Sequence, residues 1–218
     1  MNLICFPHYT CGGLLCDIFQ KTWSGVAKNG GIASIAHSLG KIGDNNGIFS
    51  DYDPVALVNN LRGKNIKSDQ WVGTHCWPGI ISDLSFAQHI INITTTTFRS
   101  KVYRWHRAYH HYYLKLQPWI ELSGQSRIDK ERETAKNYLD AFLPLYAPNV
   151  TNIEFCEIVE NSTQFQKLTA NFETEKHITR WQQLNEFLYL SDMWNSAVTK
   201  RLYEAELEIN LKEYYVYE

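Results

Sequence analysis

The chain has 218 residues, 44% of them hydrophobic and 20% charged, a composition that suits a globular domain and excludes a disordered chain. Its 21 Lys and Arg against 23 Asp and Glu give a net charge of -2, which excludes nucleic-acid binding through bulk positive charge. No stretch reaches the ~18 apolar residues of a membrane span, and the opening MNLICFPHYT lacks the basic start and apolar run of a secretory signal.

The five cysteines, Cys5, Cys11, Cys16, Cys76 and Cys156, are odd in number, scattered and without a CxxC pair. They predict reduced thiols and a cytoplasmic location rather than a disulfide framework or a zinc site. Asn-x-Ser/Thr triplets at Asn92, Asn149 and Asn161 then read as chance matches.

Taken in chain order, Asn2 to Phe6 is a short apolar run that predicts a strand ending at Pro7. After Gly12-Gly13 the run LLCDIFQKTW has helical spacing, residues 32–36 read as a second strand, and Asp51 to Pro54 reads as a helix start. Trp71 to Thr74 predicts a strand, and Pro78-Gly79 a helical stretch ending near Gln88. His89 to Thr94 is a β-branched run expected as a buried strand, followed by a long helix from Phe98 to Leu116. A loop is expected over 117–129, an amphipathic helix over 130–143, and a strand with its exit over Asn152–Val159. Helices follow around 161–172 and 177–190, and the tail from Ser191 to Asn210 reads as helical. Strands alternating with helices predict an α/β fold with a central, mostly parallel sheet and helices on both faces. Ligands of such sheets bind beyond the carboxyl ends of the strands, so the residues after Phe6, Thr74 and Thr94 are where chemistry is expected.

Three strand ends carry suitable residues. In Pro7-His8-Tyr9-Thr10-Cys11-Gly12-Gly13, followed by Leu14 and a helix, small residues let backbone amides converge on an anion at a helix N-terminus; the other reading is an ordinary strand-to-helix turn that needs glycine. No Lys follows the glycines, so this is not GxxxxGK[ST]. His75, in Thr74-His-Cys-Trp-Pro78, stands where a general base would, or is a buried His bonded to a carbonyl. After the third strand, Thr94-Thr-Thr-Thr97 leads to Arg99, Ser100, Lys101, Arg104 and Arg107, partners for a phosphate or else a solvated basic helix face. Arg104 and Arg107 are three apart and share a helix face. His106 and His110 have an i,i+4 spacing without the Glu of an HExxH zinc site, and read as part of a polar-aromatic helix.

In order and spacing these segments resemble sulfotransferases that use 3′-phosphoadenosine 5′-phosphosulfate (PAPS). In that family a Pro-Lys/Arg-Ser/Thr-Gly-Ser/Thr-Thr loop after the first strand holds the 5′-phosphosulfate, and Pro7 to Gly13 stands in its place, with His8 where the basic residue is expected. Thr74-His-Cys-Trp-Pro78 resembles the family's Thr-His-Leu-Pro, with one extra residue. HIINITTTTFRSKVYRW resembles the strand and Arg/Ser segment that holds the 3′-phosphate, although Arg99 and Ser100 are adjacent here and Arg107 lies eight residues after Arg99. Ile153 to Val159 resembles a later strand-then-helix segment, so the likeness runs from residue 2 to about residue 172.

The resemblance implies one domain over 1–218 with a helical C-terminal part from about 173, and a three-layer α/β/α architecture of the P-loop nucleoside-triphosphate-hydrolase type. It implies PAPS as donor and 3′-phosphoadenosine 5′-phosphate (PAP) as product, with no metal. His75 is the implied general base. Residues 8–14 (His8, Tyr9, Thr10, Cys11, Gly12, Gly13 and Leu14) with Arg99, Ser100 and Arg107 are the implied nucleotide site, and the acceptor is a small molecule or a glycan. Two other readings fit the same residues: a P-loop-type kinase, and a non-catalytic binding module that shares the fold.

Overall fold

A computed structural model describes residues 1–10, 12, 15, 58, 59, 62, 71–81, 83–115, 124–160, 162–169 and 199–207. The strands expected over 32–36 and the helix over 177–190 lie outside these residues, as do Cys11, Gly13 and Leu14.

Among the described residues, four strands form one sheet: β1 (Asn2–Cys5), β2 (Trp71–Thr74), β3 (His89–Thr94) and β4 (Val150–Glu154). Their order is β2-β1-β3-β4 and every pairing is parallel. The α/β class read from the sequence is therefore the class of the structure. β1 is buried at all four positions, as expected of a strand with a neighbour on each edge. Asn2 to Cys5 register with Trp71 to Thr74 on one side and with His89 to Asn92 on the other.

Side chains alternate across the sheet. Leu3, Cys5, Val72 and Ile90 pack in one cluster with Val58, Ile81, Ala87 and Phe142. Ile4, Ile91 and Ile93, one step out of phase, belong to the opposite face and are also buried. The chain leaves β1 for β2 on one side, crosses back over β1 to β3, and continues outward to β4. This reversal makes the carboxyl ends of β1 and β3 the switch point, where open α/β sheets leave a crevice.

α1 (Phe98–Lys115) follows β3 at the length its pattern predicts. α2 (Gly124–Lys136), α3 (Phe155–Val159) and α4 (Thr163–Thr169) follow, and residues 199–207 are helical. Val102, Trp105 and Ala108 of α1 pack with Ala135, Tyr138, Leu202 and Ala205 in a second cluster. No helix among the described residues is long and apolar enough to cross a membrane.

Two expectations need correction. Pro78–Ile80 is a single 3-10 turn and not the start of a helix. Beyond it, Ile81 and Ala87 are buried against the sheet with Leu84 and Phe86 packed beside them, and Asp83 takes the Ser85 amide, which fixes an irregular path. The helix placed at 130–143 starts at Gly124 and stops at Lys136. Tyr138 packs against α1 while Phe142 packs against the sheet, in a different cluster. A helix would hold that i,i+4 pair on one face, so the chain unwinds between them. Phe155–Val159 is helical, in the strand-then-helix order that the resemblance implied: the strand ends at Glu154, whose side chain joins Glu157 in a capping box.

Candidate functional site

The first loop leaves β1 as a turn closed by the Thr10 amide, which donates to the Pro7 carbonyl at 3.3 Å. The Thr10 hydroxyl donates to the same oxygen at 2.6 Å. Both Thr10 donors thus build the turn rather than stand ready for an anion. Tyr9, the third residue of the turn, has φ 67°, a conformation that a type II turn normally gives to glycine. Holding a non-glycine residue there costs about 1 kcal/mol or more.

Two arginines hold it. Arg107 Nη1 donates to the Tyr9 carbonyl at 3.2 Å, and Arg104 Nε donates to the His8 carbonyl at 3.0 Å. The two lie one turn apart on α1, so the shared face expected for them is the face that meets the loop. Arg104 is 1% exposed. Its Nη1 also reaches the carbonyls of Asp140 at 2.6 Å and Tyr138 at 3.4 Å, and its guanidinium lies 5.2 Å from the Tyr138 ring centre. Burial pushes its pKa down to about 10, with Tyr138 and Asp140 opposing the shift, so it stays charged at neutral pH. These arginines grip the loop from behind, through its carbonyls.

His75 stands just past β2 and is buried. Its Nδ1 lies 2.9 Å from the Phe6 carbonyl. A carbonyl only accepts, so Nδ1 carries a proton and Nε2 is the ring nitrogen left to exchange one. The ring stacks on His8 with centroids 3.7 Å apart, and meets Phe6 edge-on at 4.5 Å. Gly12 completes the set: a Cβ there would overlap the Phe6 ring. Its glycine requirement is therefore a close approach to the aromatic stack that carries His75.

The third strand end is organised around Glu154. Its carboxylate accepts from the hydroxyls of Thr94 at 2.5 Å, Thr96 at 3.0 Å and Thr97 at 3.0 Å, and from the Thr97 amide at 2.9 Å. Burial works to raise its pKa, and bonds from Thr94, the Thr97 amide, Ser100 and Thr96 outweigh it and hold the carboxyl below the ordinary range. The start of α1 is thereby filled by a carboxylate of the chain itself. Ser100 is fully buried, and its Oγ accepts from the Cys156 amide at 2.9 Å. Arg99 forms an ion pair with Glu160, and a hydrogen bond with Tyr103 is the largest influence raising its pKa.

The residues expected to share one nucleotide site thus fall into two groups. His8, Tyr9, Thr10, Gly12, His75 and Arg107 meet around the first loop. Arg99 and Ser100 sit at the β4 edge with Glu154, Cys156 and Glu160. His106 donates to or accepts from Thr199 at 2.8 Å within the helical packing. Sequence reasoning missed the left-handed Tyr9 and the role of Glu154, since neither a strained Tyr nor a Glu sixty residues from its partner Thr94 leaves a local signal.

Comparison with family models, with curated proteins and with solved structures finds no match for this chain.

Proposed function

We propose that the protein is a nucleotide-dependent transferase of the sulfuryl-transfer type, cytoplasmic, with a P-loop-like three-layer fold and an acceptor that is a small molecule or a glycan. The observation that carries this reading is His75: a histidine tied through Nδ1 to the Phe6 carbonyl and stacked on the first loop at the carboxyl end of a parallel sheet. With Nδ1 on the Phe6 carbonyl, Nε2 is the nitrogen we assign as the base.

His75 Nε2 takes the proton of the acceptor hydroxyl or amine as that group attacks. The donor nucleotide supplies the sulfuryl group, whose bond to the bridging phosphate oxygen breaks while the bond to the acceptor forms. The first loop binds the donor's charged end, with Arg104 and Arg107 keeping positive charge behind it. A buried Thr95 hydroxyl without a hydrogen-bond partner among the described residues suits an anionic ligand in this crevice. Arg99 is 53% exposed and its pair with Glu160 is a surface ion pair of small worth, so we assign it to the 3′-phosphate in exchange for that pair. Ser100, turned into the protein, acts through Glu154 and Cys156.

A second reading, a non-catalytic binding module, is favoured by the inward engagement of Thr10 and Ser100. The two separate at His75→Gln. The transferase reading expects turnover to fall about a hundredfold or more, with PAP affinity unchanged by calorimetry. Retained turnover removes His75 as the base, and absence of turnover in the wild type across a broad acceptor panel favours the binding module.

A further inference from the structure

Thr95 lies in the middle of the threonine run but is not part of the Glu154 clamp. Thr94, Thr96 and Thr97 all give their hydroxyls to that carboxylate. Thr95 is the first residue past β3, and continuing the strand's alternation by one step puts it in phase with Ile91 and Ile93. Ile91 registers with Ile4, and Ile4 with Gly73, so on this same face the first residues past β1 and β2 are Phe6 and His75. Thr95 is 0% exposed, its amide donates to the Phe142 carbonyl at 3.4 Å, and its Oγ1 has no hydrogen-bond partner among the described residues. Burying a hydroxyl without a partner is costly, and valine fills the same volume in a strand without that cost. Thr95 stands just past the carboxyl end of β3, where open α/β sheets place their ligands.

We infer that Thr95 is a ligand-binding residue, its hydroxyl donating to an anionic phosphate-type oxygen of a nucleotide held between the first loop and the end of β3. The inference rests on the nucleotide reading above and assigns that site a contact on the β3 side. A hydroxyl bond to a charged oxygen is strengthened by the charge, so its loss weakens binding by about tenfold or more.

The test is calorimetric titration of the wild type, Thr95→Val and Thr95→Ser with PAP, ADP and inorganic pyrophosphate, alongside melting of each ligand-free protein. The expected result is a valine variant that melts at or above the wild type yet binds at least about tenfold more weakly, with serine close to the wild type. A valine variant that binds equally well overturns the assignment and leaves the nucleotide reading standing. One that melts lower, or fails to fold, assigns the hydroxyl a structural role and also overturns it. A wild type that prefers ADP or pyrophosphate to PAP, with valine weaker, overturns sulfuryl transfer and keeps Thr95. A wild type that binds none of the three overturns both.

Discussion

Arg104 does at the residue scale what no backbone segment does, because one buried guanidinium joins the first loop to the turn after α2. It satisfies the carbonyls of His8, Tyr138 and Asp140 together, and Trp105 beside it packs on Tyr138 with ring centroids 5.3 Å apart. Arg104→Met keeps most of the apolar stem but leaves those carbonyls without their donor. The expected cost is about 3 kcal/mol in urea unfolding, with nucleotide affinity falling as the His8–Tyr9 turn loosens. A loss below about 0.5 kcal/mol, the range of an ordinary surface substitution, would mean the arginine is not holding the loop. Tyr9 belongs to the same argument. Its left-handed conformation persists because Arg107 holds its carbonyl and its ring packs 5.8 Å from Tyr138.

At the element scale the Glu154 clamp joins the end of β4 to the start of α1, across the edge of the sheet. The register pairs Thr94 with Glu154, which is why one carboxylate reaches the whole end of β3. Asparagines do the same two residues earlier on these strands. Asn92 donates to Asn152 at 2.8 Å and to the Leu143 carbonyl at 2.9 Å, and Asn152 closes two bonds with the backbone of Leu145. Together they fasten the irregular chain after α2 to the sheet.

The clamp has a pH signature. The folded-state pKa of Glu154 is lowered, so its contribution to stability is fully present above the unfolded carboxyl value of about 4.3 and is lost as the pH falls through the folded value. Glu154→Gln is expected to lower stability by about 2 kcal/mol at neutral pH. The melting curves of variant and wild type should then converge as the medium is acidified below about pH 4. A difference that stays constant with pH would show that the charge is not what holds the clamp.

At the scale of the whole molecule, the sheet was the most legible part of the sequence. Trp71–Thr74 and His89–Thr94 have the bounds expected of them, since short apolar runs ending in loops have few other fates in a parallel sheet. α1 was legible for the same reason, as its length and periodicity agree. The turn at 78–80 and the early end of α2 were not, because both are decided by which distant cluster Ile81, Tyr138 and Phe142 join. Of the candidate site, the strand ends themselves were legible, and the structure brings His75 to the first loop. The partners of the arginines and threonines were hidden, because backbone carbonyls and a carboxylate across the sheet satisfy them.

On the proposed reading, the crevice at the switch point holds a 3′-phosphorylated adenine nucleotide. The most direct test is calorimetric titration of the intact chain with PAP, run against ATP and ADP without and with magnesium. The account requires micromolar binding that depends on the 3′-phosphate and does not need magnesium. No binding, or a preference for ATP with magnesium, would contradict it and leave the parallel sheet and its loop as a scaffold for other chemistry.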